Sequence, residues 1–138
     1  MKKNIQNILD RIITIPNFPK KGVMFKDITP IFQDPQILDE VIEIFAQALS
    51  DVEIDCIAGI ESRGFLFGVP LALRLKKPFV LIRKPNKLPR NTFKEKIKLE
   101  YGDTTIELQK DDIKPSLLLS NDEECSAALS KPLPIPLC

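Results

Sequence analysis

The sequence predicts an α/β fold, in which a parallel sheet is flanked by helices. The main observation is a succession of four segments: the apolar run Ile54–Ile60, the turn 61–64, the apolar stretch Phe65–Lys76 and the apolar run Pro78–Ile82. Strand, turn, helix and strand in this order indicate a βαβ unit, whose two strands are parallel. A second observation is an amphipathic helix predicted just before this unit, over 34–50.

The segment before the βαβ unit holds two predicted helices and a loop. Apolar residues recur at three- and four-residue spacing over Ile5–Ile13, which predicts an amphipathic helix that ends before the next proline. The prolines and the glycine of Pro16–Pro35 predict an ordered loop with short extended pieces. Asp34 then supplies an N-cap and Pro35 occupies the first helical position, so a helix is expected to continue from there to about Ser50.

The remaining elements are predicted from the same patterns. The strand of Ile54–Ile60 is expected to be buried on both faces, and Pro70 to lie near the start of the following helix. The basic stretch 84–98 is expected to be a mobile loop, followed by a β-hairpin of 97–101 and 104–109 around Gly102-Asp103. A further strand could begin at Leu117-Leu118-Leu119, but 120–138 have neither a helical nor a strand period.

Composition excludes several classes of protein. The 138 residues are 43% hydrophobic and 28% charged, as expected for a soluble globular protein. With 20 basic and 19 acidic residues the net charge is +1, which argues against binding to nucleic acid through net charge. No apolar run approaches the roughly 18 residues of a membrane span, and the N-terminus does not resemble a signal peptide. The sequence therefore predicts a cytoplasmic protein with neither nucleic acid nor membrane as partner.

Charge is concentrated in one stretch of this nearly neutral chain. Between Lys76 and Lys98 the only acid is Glu95, and the local charge is +8 because nine residues are basic: 76, 77, 83, 84, 87, 90, 94, 96 and 98. The stretch could be a solvated loop, a nucleic-acid surface or a phosphate-binding segment. Among the basic residues from Arg83 to Lys94 the only aromatic residue is Phe93, so a small phosphorylated substrate fits better than single-stranded nucleic acid.

Three short segments have the residue types of a catalytic or binding site. Glu61-Ser62-Arg63-Gly64 follows a strand and could present backbone N–H groups and a guanidinium to an anion, or be an ordinary turn with a surface arginine. Gly22–Pro30 offers exposed backbone, an aromatic face and a cation, as a purine pocket needs, although a phenylalanine such as Phe25 is more often a core residue than a stacking one. Glu100 and Tyr101 could be plain strand residues or could handle a proton beneath a closing loop. Because the chain has no histidine, any general acid or base is a carboxyl, lysine, tyrosine or cysteine.

In this order, four blocks resemble the adenine phosphoribosyltransferase family: 15–30, 57–68, 80–84 with 87–89, and 99–102. The resemblance covers about residues 5 to 115. It implies a type I phosphoribosyltransferase-like parallel sheet flanked by helices, incomplete at the C-terminus. It also implies purine salvage, in which adenine and 5-phosphoribosyl 1-pyrophosphate give AMP and pyrophosphate. The implied cofactor is Mg²⁺, bound through the pyrophosphate substrate with no protein side chain as ligand, and the implied assembly is a homodimer.

The resemblance also implies roles for individual residues. Adenine would be bound by the backbone of Met24, the ring of Phe25 and the side chain of Lys26, where the family often has arginine. The pyrophosphate would be held by two groups of residues at neighbouring strand ends: Glu61, Ser62 and Arg63, and Arg83, Lys84 and Lys87. Glu100 would assist proton movement on the purine, and Tyr101 would help to close the site.

The resemblance ends after Lys114-Pro115. At this point the family has two adjacent acids and an Ala-Thr-Gly-Gly-Thr loop that holds the ribose 5-phosphate. Here Asp122-Glu123-Glu124 is followed by Cys-Ser-Ala-Ala, and no glycine follows Gly102, although glycine readily adopts the positive φ of a phosphate loop. We therefore predict a partial phosphoribosyltransferase domain over 1–115 and an aberrant, poorly ordered tail over 116–138, from a frameshift or from genuine divergence. The chain would be a weak or inactive enzyme, or a non-catalytic purine-binding or dimerising remnant.

Overall fold

In a computed structural model, the described residues are 2–99 and 102–113, and they form parts of two compact units that divide after Asp51. The first unit contains two strands and three helices: α1 (Lys2–Leu9), β1 (Ile13–Pro16), β2 (Met24–Asp27), α2 (Thr29–Gln33) and α3 (Pro35–Ala48). β1 and β2 pair as antiparallel strands, with Ile13 opposite Asp27 and Pro16 opposite Met24. Buried aliphatic residues of α2 and α3, among them Ile31, Val41 and Ile42, form the core of this unit.

The first helix begins and ends earlier than predicted. Tight hydrogen bonds from Arg11 N–H to Ile8 O and from Ile12 N–H to Leu9 O close it after Leu9. Ile13, expected at the end of the helix, instead begins β1. The helical spacing failed here because β-branched residues fill 12–15, and such residues favour a strand when a partner strand is available.

The start of α3 was predicted correctly. The side chain of Asp34 accepts hydrogen bonds from the backbone N–H groups of Gln36 and Ile37 at 3.1 and 3.3 Å, and Pro35 occupies the first helical position. Asp34 also forms an ion pair with Arg11 at 2.9 Å. This ion pair joins the beginning of α3 to the turn that follows α1.

The second unit contains the predicted βαβ arrangement. Its elements are β3 (Ile57–Ile60), α4 (Arg63–Leu75), β4 (Phe79–Arg83), β5 (Thr92–Leu99), β6 (Gly102–Gln109) and a 3₁₀ turn (Lys110–Asp112). The sheet order is β3-β4-β6-β5, with β3 and β4 parallel and the other neighbours antiparallel. The α/β prediction is confirmed, and the sheet is mixed because the hairpin joins it in the antiparallel sense. Its core includes Phe67, Leu71, Val80, Ile82 and Ile106.

Three details of this unit differ from the prediction. Of the residues of β3 only Gly59 is buried, and Ile60 is 44% exposed, because β3 lies at one end of the described sheet. Pro70 lies in the middle of α4, which begins earlier than expected, at Arg63. β5 begins at Thr92, so much of the predicted mobile loop is a strand. Its charged residues did not suggest a strand, although lysines are common on edge strands such as β5.

Candidate active site

Close packing of glycines places the start of α4 against the end of β3. A Cβ atom on Gly59 would lie 2.9 Å from the carbonyl oxygen of Gly64 and 2.6 Å from the ring of Phe79. A Cβ atom on Gly68 would lie 2.4 Å from the same ring. Because side chains at these positions would collide with backbone or ring atoms, glycine allows the strand and the helix to approach closely. The turn between them is held in place by this contact.

The turn consists of Glu61 and Ser62, and the peptide bond between them is cis. The backbone N–H of Glu61 donates to the carbonyl of Ile82 at 2.9 Å, which links the turn to the end of β4. Ser62 is the N-cap residue of α4, and Arg63 is the first residue of the helix. Both are exposed, so backbone N–H groups of the first helical turn face a surface that a ligand can reach.

The side chain of Glu61 connects the turn to the residues that follow β4. Its Oε2 accepts hydrogen bonds from Arg83 Nε at 2.8 Å and from the backbone N–H of Lys84 at 3.2 Å. A guanidinium nitrogen of Arg83 also donates to the carbonyl of Lys87 at 3.1 Å. The hydrogen bond from Arg83 is the main cause that lowers the pKa of Glu61 below its ordinary value of 4.5; the Lys84 N–H and the positive charges of Arg83 and Lys87 add to it, while desolvation acts in the opposite direction.

The ends of β3 and β4 therefore bring together predicted site residues that are far apart in the chain. Glu61 lies next to Arg83, Lys84 and Lys87, which follow it by 22 or more residues. Arg63 adds a fourth positive charge at the start of α4, so these residues together carry a net charge of +3. Guanidinium and ammonium groups beside helix N–H groups are complementary to phosphate oxygens. We call this set of residues the β3–β4 anion site.

The predicted purine segment lies on β2, in the first unit. Met24 is 60% exposed, and the half-buried ring of Phe25 contacts the ring of Phe18 edge-on, with centroids 5.1 Å apart. The ammonium group of Lys26 donates to the hydroxyl of Thr14 on β1 at 2.6 Å. The hairpin therefore offers the exposed Met24, an aromatic ring and an oriented cation at three successive positions of one strand.

Sequence reasoning missed two residues that shape this segment. Thr14 lies opposite Lys26 in the β1–β2 register, and the sequence alone does not reveal this register. Asp27 accepts hydrogen bonds from the backbone N–H and the hydroxyl of Thr29, at 2.9 and 2.7 Å. These two bonds lower the pKa of Asp27, against a smaller opposing effect of desolvation. Asp followed two residues later by Thr and then by Pro is a turn signal that could have identified it.

The two residues predicted to handle the proton and close the site, Glu100 and Tyr101, lie outside the described residues. The structure describes the strands on either side of them, with Leu99 opposite Gly102 in the register of β5 and β6. The predicted strand at Leu117-Leu118-Leu119 and the tail over 116–138 also lie outside the described residues.

Comparison with known proteins identifies the class and then the branch to which this chain belongs. Residues 27–112 match the family described as "Phosphoribosyl transferase domain". The adenine phosphoribosyltransferase of Ureaplasma parvum serovar 3 is 49% identical over 113 residues, which are 82% of this chain and 65% of that enzyme. The adenine phosphoribosyltransferase of Borreliella burgdorferi is 46% identical over 123 residues, which are 87% of this chain and 70% of that enzyme.

Solved structures lead to the same branch. The adenine phosphoribosyltransferase of Thermoanaerobacter pseudethanolicus is 48% identical, with a TM-score of 0.74 over 78% of this chain and 62% of that one. The Saccharomyces cerevisiae enzyme, solved with adenine and an imino-altritol bisphosphate, is 41% identical, with a TM-score of 0.75 over 82% of this chain and 66% of that one. The chain therefore belongs to the phosphoribosyltransferase family, in its adenine phosphoribosyltransferase branch, and the predictions of family and fold are confirmed. It spans about 65% of the length of curated relatives such as the Ureaplasma enzyme.

Proposed function

We propose that this protein transfers the phosphoribosyl group of 5-phosphoribosyl 1-pyrophosphate to adenine and forms AMP and pyrophosphate, a reaction of purine salvage. The observation that carries the proposal is the β3–β4 anion site, where Glu61 orients Arg83 next to the exposed start of α4. The Saccharomyces cerevisiae relative was solved with adenine and an imino-altritol bisphosphate, and the proposed reaction likewise uses adenine together with a phosphorylated sugar.

The β3–β4 anion site is proposed to hold the pyrophosphate. Glu61, Ser62 and Arg63 would contribute backbone N–H groups, and Arg63 its side chain as well. The carboxylate of Glu61 would repel an anion, so its role is to orient Arg83 through the 2.8 Å hydrogen bond. A guanidinium has five N–H donors, and the bonds to Glu61 and Lys87 use two of those of Arg83, so three are left for phosphate oxygens. Lys84 and Lys87 would add positive charge on the same side.

The hairpin of β1 and β2 is proposed to hold adenine. The backbone of Met24 would bond to the edge of the purine, and the ring of Phe25, supported from its edge by Phe18, would stack on the purine face. Lys26 would approach the ring from the side. Its bond to Thr14 directs the ammonium group, which partly replaces the fixed geometry that an arginine would have.

The reaction is a displacement at the anomeric carbon of the ribose, in which a purine nitrogen replaces pyrophosphate. The protein contributes by aligning the two substrates and by stabilising the charge on the departing pyrophosphate. Glu100 is proposed to assist proton movement on the purine, and Tyr101 to help close the site.

Mg²⁺ would reach the site together with the pyrophosphate, whose oxygens are its preferred ligands. The β3–β4 anion site fits this arrangement, because its groups are N–H donors and its one carboxylate is bonded to Arg83. Within the described residues there is no cluster of three or more carboxylates and thiols that suits a metal ion. Arg83 and Lys84, with Arg83 oriented by Glu61, would therefore bind the pyrophosphate oxygens that are not ligands of the metal.

We further propose that the enzyme acts as a homodimer. The support is a row of large apolar side chains on the outer face of α4: Leu66, Val69 and Leu73, which are 50%, 49% and 80% exposed. Their spacing places them on one face of the helix, and an exposed apolar row of this kind is typical of a protein interface. A cytoplasmic location, with neither nucleic acid nor membrane as partner, stays a prediction; no helix in the described residues is long and apolar enough to cross a membrane.

A second candidate function is a non-catalytic module that binds adenine or dimerises. The observation that favours it is the absence of glycine after Gly102 in the sequence, because a loop that wraps a 5-phosphate needs positions of positive φ. Calorimetry separates the two candidates: adenine binding without any AMP formation supports the module, and AMP formation rules it out.

The β3–β4 anion site and the β1–β2 hairpin are tested by measuring the KM values for both substrates in one variant of each. Arg83→Gln removes the oriented guanidinium, and we expect the KM for 5-phosphoribosyl 1-pyrophosphate to rise about 10- to 100-fold with the KM for adenine unchanged. Phe25→Leu should show the opposite pattern. Arg74→Gln, at the far end of α4, is the matched control and should behave as wild type. An Arg83→Gln enzyme with unchanged KM values would contradict the assignment of the pyrophosphate to this site.

A further inference from the structure

The hairpin of β5 and β6 extends well beyond the strand that attaches it to the sheet. Its register has eight residue pairs, from Thr92 opposite Gln109 to Leu99 opposite Gly102. β4 contacts this register at Glu107 and Leu108, so the five pairs from Glu95 opposite Ile106 onward lie past the attachment. At about 3.3 Å per residue, these five pairs form an arm roughly 17 Å long.

An arm of this length turns a small rotation at its base into a large displacement at its tip. A rotation of about 3° at the base of a 17 Å arm moves its far end by roughly 1 Å. A misplacement of about 1 Å at a reacting group can cost roughly 100-fold in rate. The contacts at the base of the arm therefore decide where its tip lies.

Three side chains close the base of the hairpin, at its open end and on the other side of the β4 attachment from the arm, and we call them the Arg90 clamp: Arg90, Gln109 and Asp112. The backbone N–H and the Nε of Arg90 both donate to Oε1 of Gln109, at 3.3 and 3.1 Å. A terminal nitrogen of Arg90 donates to Oδ1 of Asp112, and Gln109 Nε2 donates to Oδ2 of Asp112 at 2.9 Å. Each member of the clamp thus bonds to the other two.

Burial makes this clamp more than a surface ion pair. An exposed arginine and aspartate contribute little by themselves. Gln109, however, is only 5% exposed, so its amide depends on Arg90 and Asp112 for hydrogen bonds that water would otherwise supply. The backbone N–H of Lys110 also donates to the carbonyl of Asn91 at 2.9 Å, which joins the two chain segments beside the clamp.

We propose that Arg90 is a positioning residue, which fixes through Gln109 and Asp112 the angle at which the β5–β6 arm leaves the sheet. The effect on catalysis rests on the proposed function, since Glu100 and Tyr101 follow directly on β5 in the sequence. The effect of Arg90 on the angle of the arm is independent of the proposed function.

Hydrogen–deuterium exchange of the full chain tests the clamp without reference to catalysis. In Arg90→Ala, we expect the amides of 92–94 and 107–109 to exchange about 10- to 100-fold faster, because the buried carbonyl oxygen of the Gln109 side chain loses the guanidinium that bonds to it. Exchange in β3 and α4 should not change. Lys96→Ala removes an exposed lysine from the arm and is the matched control. Unchanged exchange at the base, or an equal rise in β3 and α4, would overturn the proposal.

A second test keeps Arg90 and swaps the carboxylate of Asp112 with the amide of Gln109. Gln109→Glu places a second carboxylate beside Asp112. In this variant we expect the amides of 92–94 and 107–109 to exchange hydrogen for deuterium as fast as they do in Arg90→Ala. Adding Asp112→Asn restores one carboxylate and one amide with their positions exchanged, and exchange should return to within about twofold of wild type. Arg90→Lys keeps the positive charge but lacks the planar guanidinium that bonds to both Gln109 and Asp112, so its amides should exchange about as fast as those of Arg90→Ala. A double variant that exchanges as fast as Gln109→Glu alone would contradict the clamp.

Kinetics then test the positioning role. We expect Arg90→Ala to lower kcat about 10- to 100-fold while the KM for adenine stays within about twofold, because binding precedes alignment. Lys96→Ala should keep the wild-type kcat. Faster exchange with unchanged kcat would refute the positioning role. A wild-type chain that forms no AMP would count against the proposed function, and the exchange data would still decide the clamp.

Discussion

Gly68 offers a sharp test of the packing that places the β3–β4 anion site. A methyl group at this position would lie 2.4 Å from Cε2 and 3.1 Å from Cζ of Phe79. Carbon atoms pack best at about 3.5–4.0 Å, so the first contact is more than 1 Å too short. Overpacking of this kind costs about 1–3 kcal/mol, and the severity of the overlap favours the upper half of that range.

Helix propensity acts in the opposite direction. Replacing glycine by alanine inside a helix stabilises it by about 1 kcal/mol. The net expectation for Gly68→Ala is therefore a loss of about 1–2 kcal/mol in the free energy of unfolding. In a Phe79→Leu background the ring is absent, and the same Gly68→Ala substitution should become neutral or stabilising by up to about 1 kcal/mol.

Urea denaturation of the four proteins in this double-mutant cycle measures the effect. The prediction is a change of sign between the two backgrounds, with a coupling energy of about 2 kcal/mol. If Gly68→Ala destabilises both backgrounds equally, or neither, the contact with Phe79 does not account for glycine at this position. The reasoning about how α4 is held against β3 would then be wrong.

Two further predictions concern the cap of α3 and the dependence on pH. Asp34→Ala should destabilise the protein by about 1 kcal/mol through loss of the cap, and Asp34→Ser should recover most of that loss because serine also caps, which urea denaturation will show. Asp27 and Glu61 have pKa values below their ordinary 3.8 and 4.5, so their contribution to stability is complete above about pH 5 and is lost as the pH falls through the lowered values. The free energy of unfolding should therefore fall between pH 7 and pH 3, and it should fall less steeply in Glu61→Gln than in the wild type. An equal fall in both proteins would refute the role given to Glu61.

The sequence was most informative where one local signal determines one local structure. Asp34 followed by Pro35 predicted the start of α3, because capping involves only neighbouring residues. The apolar runs on either side of Glu61-Ser62-Arg63-Gly64 predicted the βαβ unit for the same reason. The closeness of Glu61 and Arg83 also followed from topology, since the carboxyl ends of parallel neighbours meet at one edge of a sheet.

The failures arose where a distant partner decides the structure. Ile13 fits a helical spacing, yet it joins a strand because Asp27 lies opposite it in β2. Lys94 and Lys96 indicated a solvated loop, yet β6 provides eight residues of pairing for this stretch. The contacts of Arg90 with Gln109 and Asp112 could not be read from spacing, because they depend on the register of the whole hairpin.

The most direct test of the central claim is the formation of labelled AMP from labelled adenine by the 138-residue chain, with Mg²⁺ and with or without 5-phosphoribosyl 1-pyrophosphate. The account predicts AMP that depends on both the sugar pyrophosphate and Mg²⁺, and that falls when Arg83 is replaced by glutamine but not when Arg74 is. No AMP from a chain that still binds adenine would contradict the proposed activity and establish the protein as a purine-binding member of its family.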